Sequence, residues 1–211
     1  MKTTSLKFFR VAPFLLAVLL WLTCFSLPAV TQAKKIPQQR FFIGFAAGFF
    51  FPQQETFREI YNHAIWPMEL RLDWDIFGSF SVFGAARYLE TSGSTVSLFP
   101  ELPAETHALH WQMATLRLGL NYRFGRSRFA PFAGMGGSFS FFREQWRDVA
   151  LNTDGKKAGF FFQAGGRYRL NRFWQALAQL DYSVIPAGIG SRGKVHLGGL
   201  TLLLGLMAGL F

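Results

Sequence analysis

The sequence predicts an all-β protein, an eight-stranded, antiparallel, up-and-down transmembrane β-barrel. Half of its 211 residues are hydrophobic and 18% are aromatic, with 26 phenylalanines spread over the whole length, which is rich for a soluble domain. After the first 33 residues, no apolar run reaches the roughly 18 residues of a membrane helix. Instead, short segments alternate between apolar and polar or small residues, as strands do when one face meets lipid.

The first 33 residues have the pattern of a cleaved secretory signal peptide. Basic residues precede an apolar run from Val11 to Leu22, and small residues surround a cleavage site after Ala33. We therefore expect a signal peptide over 1–33 and a barrel domain over 34–211. An uncleaved anchor helix is the alternative, which Pro28 and the polar residues Thr23 and Ser26 disfavour.

Cysteine usage and charge exclude several classes of function. The only cysteine, Cys24, lies inside the predicted signal, so the mature chain has no thiolate for catalysis or metal binding. The residues before Cys24 also depart from the lipoprotein pattern. Net charge is +10 for the whole chain. The basic residues alternate with apolar ones rather than clustering, which argues against nucleic acid and favours anionic lipopolysaccharide as a neighbour.

The segment from Met68 to Phe77 is the clearest strand. Its even positions are apolar, whereas Glu69, Arg71, Asp73 and Asp75 occupy the odd ones. A helix would distribute these four charges around its circumference, so period two indicates a strand. The other predicted strands, in chain order, are Phe41 to Phe51, Phe80 to Leu89, Thr115 to Phe124, Phe129 to Phe142, Lys157 to Leu170, Phe173 to Val184 and Lys194 to Phe211.

Long and short connections alternate between these eight segments. The long ones are 52–67, 90–106, 143–156 and 185–193, and the short ones are 78–79, 125–128 and 171–172. Outer-membrane barrels have short periplasmic turns and longer external loops, so we expect both termini in the periplasm.

The chain resembles the small outer-membrane β-barrel families that include OmpA-like and OmpX-like barrels. The resemblance covers the whole mature chain and is carried by FIGFAAGFFFP (42–52), TFREIY (56–61), ELRLDWDIFGSFSVFGAARYLETSG (69–93) and GGLTLLLGLMAGLF (198–211). It points to uncharacterised members of these families. It also implies that the terminal aromatic, Phe211, signals to the barrel-assembly machinery. The leucines before Phe211 lie on even positions, so we expect either a bulge near Gly209 or tolerance of the offset.

Charged residues on the predicted inner face form the candidate site. A narrow eight-stranded barrel is filled by side chains, and buried charges need partners. We therefore expect a structural ion-pair network that plugs the lumen. A gated polar path is the alternative. The network members are Glu69, Arg71, Asp73, Asp75, Arg87, Arg117, Arg123, Arg167, Arg169 and Asp181.

Other motifs support no catalytic, cofactor or metal site. The glycines of Gly188 to Lys194 resemble a phosphate-binding loop, but a strand is predicted to follow where the motif needs a helix. His107 and His110 should point to opposite faces of a strand, so they do not easily share a metal. His63 and His196 have no nearby partner in the sequence, and Ser138 lacks the setting of a nucleophile elbow.

Aromatic residues are expected in two further roles. Tryptophans and tyrosines should form belts at the two membrane interfaces. The residues expected there are Trp66, Trp74, Trp111, Trp146, Trp174, Tyr88, Tyr122, Tyr168 and Tyr182. The segment Glu55 to His63 has Phe57, Ile60 and Tyr61 at helical spacing, and we expect a short helix across the mouth.

The sequence thus predicts a monomeric outer-membrane barrel that serves envelope structure or surface interaction through its external loops. Its expected partners are outer-membrane lipid, lipopolysaccharide, and the secretion and barrel-assembly machinery. No enzyme activity and no cofactor are expected. Two other classes stay open. One is a lipid A-modifying barrel enzyme, with His110 and Ser97 or His196 and Ser183 as candidate pairs. The other is a soluble lipocalin-type barrel with its apolar face inside.

Overall fold

The computed structural model describes residues 41–61, 64–96, 106–125, 127–146, 152–188 and 194–210. Within them the chain forms ten strands and one short helix. The strands are β1 (Phe41–Pro52), β2 (Pro67–Phe77), β3 (Phe80–Val96), β4 (Thr106–Arg123), β5 (Phe129–Trp146), β6 (Asn152–Arg169), β7 (Trp174–Val184), β8 (Pro186–Gly188), β9 (Lys194–His196) and β10 (Gly199–Gly209). The helix is α1 (Glu55–Ile60). No helix among the described residues is long and apolar enough to cross a membrane.

Eight of the strands close into one antiparallel barrel, which confirms the predicted fold class. Each strand from β1 to β7 pairs with the next along the chain, and β10 closes the ring between β7 and β1. The remaining two strands, β8 and β9, pair only with each other in a small hairpin. Because the ring is closed, every barrel strand has a paired neighbour on both sides along the length that all eight strands share.

Alternation along each strand sets an apolar outer face and a filled interior. On β2 the even-numbered Met68, Leu70 and Leu72 are exposed, whereas Glu69, Arg71 and Asp73 are buried. The exposed apolar face is the reverse of a lipocalin, whose apolar face lies inside. The lipocalin-type alternative is therefore wrong, and the fold is that of a barrel surrounded by lipid.

The strands differ from prediction mainly at the long-loop end. The sequence places connections at 90–106 and 143–156, but β3 extends to Val96, β4 begins at Thr106, and β5 and β6 reach Trp146 and Asn152. In these extensions the residues that point outward are mostly polar rather than apolar. The sequence of the extensions therefore resembles that of loops. Their backbones nevertheless stay paired in continuous register. Four strands thus rise above the rest of the barrel.

The last segment also differs from prediction. The sequence predicts one strand from Lys194 to Phe211, but 194–196 belongs to the β8–β9 hairpin and the barrel strand begins at Gly199. A bulge near Gly209 is not present, because β10 pairs with β1 without interruption from Gly199 to Gly209. Leu210 remains on the exposed face. Phe211 and the predicted signal peptide lie outside the described residues.

Candidate functional site: the barrel interior and the outer wall

A connected set of arginines and carboxylates fills the middle of the barrel, and Arg87 is its hub. The Arg87 guanidinium donates to Glu69 Oε2 at 2.7 and 3.0 Å and to Asp181 at 2.7 and 3.1 Å. It also donates to the Thr201 hydroxyl at 3.0 Å. Arg117 Nη1 donates to the same Glu69 oxygen at 2.8 Å. Residues of β2, β3, β4, β7 and β10 therefore meet at one point across the lumen.

A second group of charges lies next to the first, towards the short turns. Arg71 donates to Asp73 at 2.6 Å through Nε and to Gln179 Oε1 at 2.6 Å through Nη1. Arg167 Nη2 donates to Asp73 Oδ1 at 2.6 Å. Gln179 joins the two groups because its amide also donates to Asp181 Oδ2 at 3.1 Å. These charge-assisted contacts are the strong class of hydrogen bond.

The structure brings together nine of the ten residues assigned to the network from sequence. Arg123 and Asp75 pair at 2.7 Å, nearer the short-turn rim and partly exposed. Arg169 is the exception: its side chain is half-buried and forms no ion pair within the described parts of the chain. Five arginines thus face four carboxylates. Two of the arginines also form cation–π interactions. The guanidinium of Arg71 lies 3.9 Å from the Phe83 ring centroid, and that of Arg117 lies 3.9 Å from the Phe161 ring centroid.

An apolar cluster, here called the mouth cluster, closes the lumen towards the long loops. It is built around α1, whose Phe57 is buried and contacts Trp111 edge to face at 4.9 Å between ring centroids. The buried members are Phe50, Phe57, Tyr61, Ile65, Leu89, Leu109, Trp111, Met113, Phe142, Ile185 and Leu197. The predicted mouth helix is therefore confirmed, although it ends at Ile60 and His63 lies outside the described residues.

Polar contacts hold α1 in the mouth. The Tyr61 hydroxyl donates to Glu144 Oε2 at 2.7 Å, and the Trp146 indole donates to Glu144 Oε1 at 3.2 Å. Burial, reinforced by the hydrogen bond to Glu144, raises the pKa of Tyr61. The helix also lies close to β3, because a Cβ on Gly93 would sit 2.0 Å from the Ile60 carbonyl oxygen. The mouth is thus closed by direct packing.

The aromatic belts are only partly as predicted. Trp66, Trp74 and Trp174 are exposed on the outer wall. Tyr88, Tyr122, Tyr168 and Tyr182 are exposed there as well. Trp111 is wrong as a belt residue, because it occupies an odd position of β4 and only 2% of it is exposed, inside the mouth cluster. Trp146 is likewise partly buried against that cluster.

The histidines and serines considered from sequence fall in different environments. His107 is buried inside the barrel, whereas His110 lies on the outer wall, so the two point to opposite faces as predicted. His110 contacts Ser92, with 3.1 Å between Ser92 Oγ and His110 Nδ1. Ser97 and the side chain of His196 lie outside the described residues. Ser183 is buried beside β10.

Residues 189–193 of the glycine-rich segment lie outside the described residues, but the element that follows them is not the one a phosphate loop needs. Strand β9 begins at Lys194, where that motif needs the N-terminus of a helix. Among the described residues, no three histidine, cysteine or acidic side chains are grouped to hold a metal ion.

These features define a class of fold: the protein has the eight-stranded, closed antiparallel barrel of small outer-membrane proteins. Its fold is similar to that of the outer membrane protein OprG from Pseudomonas aeruginosa, with a TM-score of 0.61, 15% identity, and coverage of 81% of this chain and 96% of that one. It is also similar to Neisserial surface protein A (TM-score 0.56, 11% identity, 81% and 97% coverage). A major outer membrane protein from Thermus thermophilus is a third (TM-score 0.53, 12% identity, 80% and 98% coverage). No protein-family model and no curated protein matches the sequence.

Proposed function

We propose that the protein is a monomeric, integral outer-membrane barrel that acts at its outer surface and does not conduct through its lumen. The observation that carries this proposal is the double closure of the interior. The ion-pair network crosses the middle of the barrel, and the mouth cluster with α1 covers it towards the long loops. A solute would have to displace both, and breaking a buried ion pair costs about 3–5 kcal/mol.

The orientation follows from connection length. The connections between β2 and β3, β4 and β5, and β6 and β7 are short, whereas those at the other end include α1, the β8–β9 hairpin and the tall strand ends. By the rule for outer-membrane barrels, the short turns and both termini face the periplasm. The tall ends of β3 to β6 then contact the cell exterior, where lipopolysaccharide surrounds them. They support a role in envelope structure or surface interaction.

The proposed partners follow from this placement. Lipid and lipopolysaccharide surround the exposed apolar wall, and the secretion and barrel-assembly machinery delivers and inserts the chain. The closed ring has no free strand edge, within the height of its shortest strands, with which a second subunit could pair, and this supports a monomer.

Single-channel recording tests closure of the lumen. The purified full-length chain is inserted into planar bilayers after its folding is verified by a heat-dependent shift in gel mobility. We expect no stable conductance from the wild type. A double variant, Arg87→Ala with Phe57→Ala, should open small conducting events because it breaks both layers. Steady wild-type conductance would overturn the closed lumen and favour the gated path.

Cysteine labelling tests the orientation in intact cells. The mature chain has no cysteine once the predicted signal is removed, so single cysteines report without background. A membrane-impermeant maleimide should label Ser94→Cys, at the long-loop end of β3. It should not label Arg172→Cys, in a short turn, until the cells are opened. The opposite pattern would place the termini outside.

A further inference from the structure

Charge is divided unevenly between the two ends of the barrel. At the short-turn end the described side chains include four arginines and one carboxylate, Asp75, which pairs with Arg123 at 2.7 Å. Arg128, Arg169 and Arg172 therefore have no ion pair with a described residue. At the long-loop end, by contrast, five acidic side chains stand with four basic ones, so charge there is nearly balanced. The acidic residues at that end are Glu55, Glu59, Glu90, Glu144 and Asp154, and the basic ones are Arg58, Arg143, Lys156 and Lys157.

The three arginines without an ion pair lie on adjoining turns and are here called the basic rim. Arg128 comes directly before β5 and Arg169 ends β6, and the Arg169 backbone N–H donates to the Arg128 carbonyl at 2.8 Å. Arg172 follows in the turn between β6 and β7. The sequence of the connection before β5 also contains Arg126, which lies outside the described residues. The neighbouring turns thus concentrate positive charge on one side of the barrel.

Aromatic rings hold two of these guanidinium groups at the wall. The Arg128 guanidinium lies 5.1 Å from the centroid of the Tyr168 ring, and its Nε donates to the Arg169 carbonyl at 3.2 Å. Tyr168 is an exposed outward residue of β6, so Arg128 lies on the lipid-facing side. The Arg172 guanidinium lies 4.4 Å from the centroid of the exposed Phe173 ring. Arginine stems that run along an apolar wall bring their charge to the membrane interface.

The basic rim lies at the level of lipid headgroups. Exposed aromatic residues occupy the short-turn ends of the strands, as in the girdles that mark the interface of an outer-membrane barrel. Tyr168, under the Arg128 guanidinium, belongs to this girdle. A guanidinium at that height meets the phosphate groups of the lipids, and its planar fork of N–H donors matches two phosphate oxygens at once. The other girdle members at this end are Phe41, Trp74, Tyr122, Phe124, Phe129 and Trp174.

The balance of charge favours an anionic lipid over a zwitterionic one. A phosphatidylethanolamine headgroup carries its own ammonium, and the basic rim offers that ammonium no described carboxylate. A phosphatidylglycerol headgroup has a net negative charge and leaves the phosphate free for the guanidinium groups. Basic residues clustered at a membrane surface attract anionic lipids in this way. A periplasmic polyanion is a poorer fit to Arg128, because its contacts with Tyr168 and the Arg169 carbonyl hold it against the wall.

We propose that the basic rim is a docking site for an anionic phospholipid of the inner leaflet, of the phosphatidylglycerol kind. The Nη groups of Arg128 and Arg172 donate to the phosphate oxygens, and the half-buried Arg169 adds positive charge beside them. The acyl chains lie along the exposed Tyr168 and Leu170 of β6. The inference names a lipid partner at the end opposite the proposed surface role. It rests on the proposed orientation, because only inward-facing short turns place this rim in the inner leaflet.

The test measures which lipids the folded barrel retains. The full-length chain is placed in nanodiscs with equal amounts of phosphatidylglycerol and phosphatidylethanolamine, and native mass spectrometry counts the lipids that stay bound after release. The wild type should retain mainly phosphatidylglycerol. Arg128→Gln with Arg172→Gln should lower the ratio of the two lipids by roughly 5-fold for each arginine removed. Folding of every variant is scored separately by the heat-dependent shift in gel mobility.

The matched control removes two positive charges from the opposite end. Arg143→Gln with Lys156→Gln loses the same net charge, and Lys156 also lies over an aromatic ring, 5.7 Å from the Phe141 centroid. This variant should keep the wild-type ratio, because acidic residues balance the long-loop end. An equal fall in both double variants would show a response to total charge and would overturn the site. Equal retention of the two lipids by the folded wild type would refute it as well.

Three further arms separate the lipid from other anions and from the orientation. Millimolar inorganic phosphate should not displace the retained lipid, and displacement would indicate a site for free phosphate instead. Sedimentation with purified peptidoglycan should be the same for the wild type and the double variant of the basic rim. Binding to peptidoglycan that needs these arginines would assign the rim to that polymer. Both leaflets of a nanodisc have the same composition, so lipid retention does not depend on orientation. Labelling of Arg172→Cys from outside intact cells would overturn the inner-leaflet assignment alone, which keeps the two failures distinguishable.

Discussion

Replacing Arg87 is the sharpest test of the ion-pair network. Arg87→Met removes the hub and leaves Glu69 and Asp181 buried with Arg117 as their shared partner at 2.8 and 3.4 Å. Removing one partner of a buried ion pair costs about 3–5 kcal/mol, because the remaining charge stays desolvated. We therefore expect the free energy of unfolding to fall by that amount, which lowers the folded-to-unfolded ratio by roughly 10²- to 10⁴-fold.

The matched control is Arg123→Met at the short-turn rim. That pair with Asp75 is more exposed than the Arg87 contacts, so its loss should cost less than the loss of Arg87. Adding Asp181→Asn to Arg87→Met removes one stranded carboxylate and should recover part of the loss. The assay is urea unfolding in micelles, followed by tryptophan fluorescence and gel mobility. Equal costs for the two single variants would refute the claim that Arg87 is the hub.

Three other predictions follow from the mouth and the C-terminus. Gly93→Ala should displace α1, because the new methyl would meet the Ile60 carbonyl, and faster proteolysis of α1 in an otherwise folded barrel would show it. The pKa of Tyr61 is raised on folding, so its contribution to stability is present below about pH 10 and lost above it, and Tyr61→Phe should remove this pH dependence. Urea unfolding of both proteins at about pH 8 and pH 11 measures the difference. An unchanged pH dependence in the variant contradicts the prediction. Deleting Phe211 should lower the heat-modifiable fraction in cells but not refolding in detergent, and equal loss in both would argue against an assembly signal.

The barrel was predictable because each strand carries its own evidence. From Glu69 to Asp75 in β2 every second residue is charged, and only a two-faced strand separates those charges from the apolar residues between them. The same alternation could have placed Trp111 inside the barrel, because the odd-numbered residues of β4 point inward when the strand is extended backward from Leu116. It was missed because the polar residues His110 and Gln112 made the segment resemble a loop.

The partners of individual side chains were not predictable. Arg87 reaches Asp181 across the lumen, and that contact depends on how the sheet closes and on the stagger between its strands. The pairing of Ser92 with His110 depends on the register of β3 against β4, in a stretch where the sequence indicated a connection. Sequence periodicity assigns a residue to a face but gives neither its height nor its neighbours.

The composition of the network bears on how the barrel completes itself. Arg87 enters with the third strand, but two of its acceptors, Asp181 and Thr201, arrive only with the seventh and the last barrel strands. A sheet of the first six strands alone would hold five of the paired arginines but only three of their carboxylates, and it would have to keep the excess charge hydrated. Closing the seam between the first and last strands is therefore the step at which these charges can leave water together. The charged interior therefore stabilises the closed barrel relative to any open sheet.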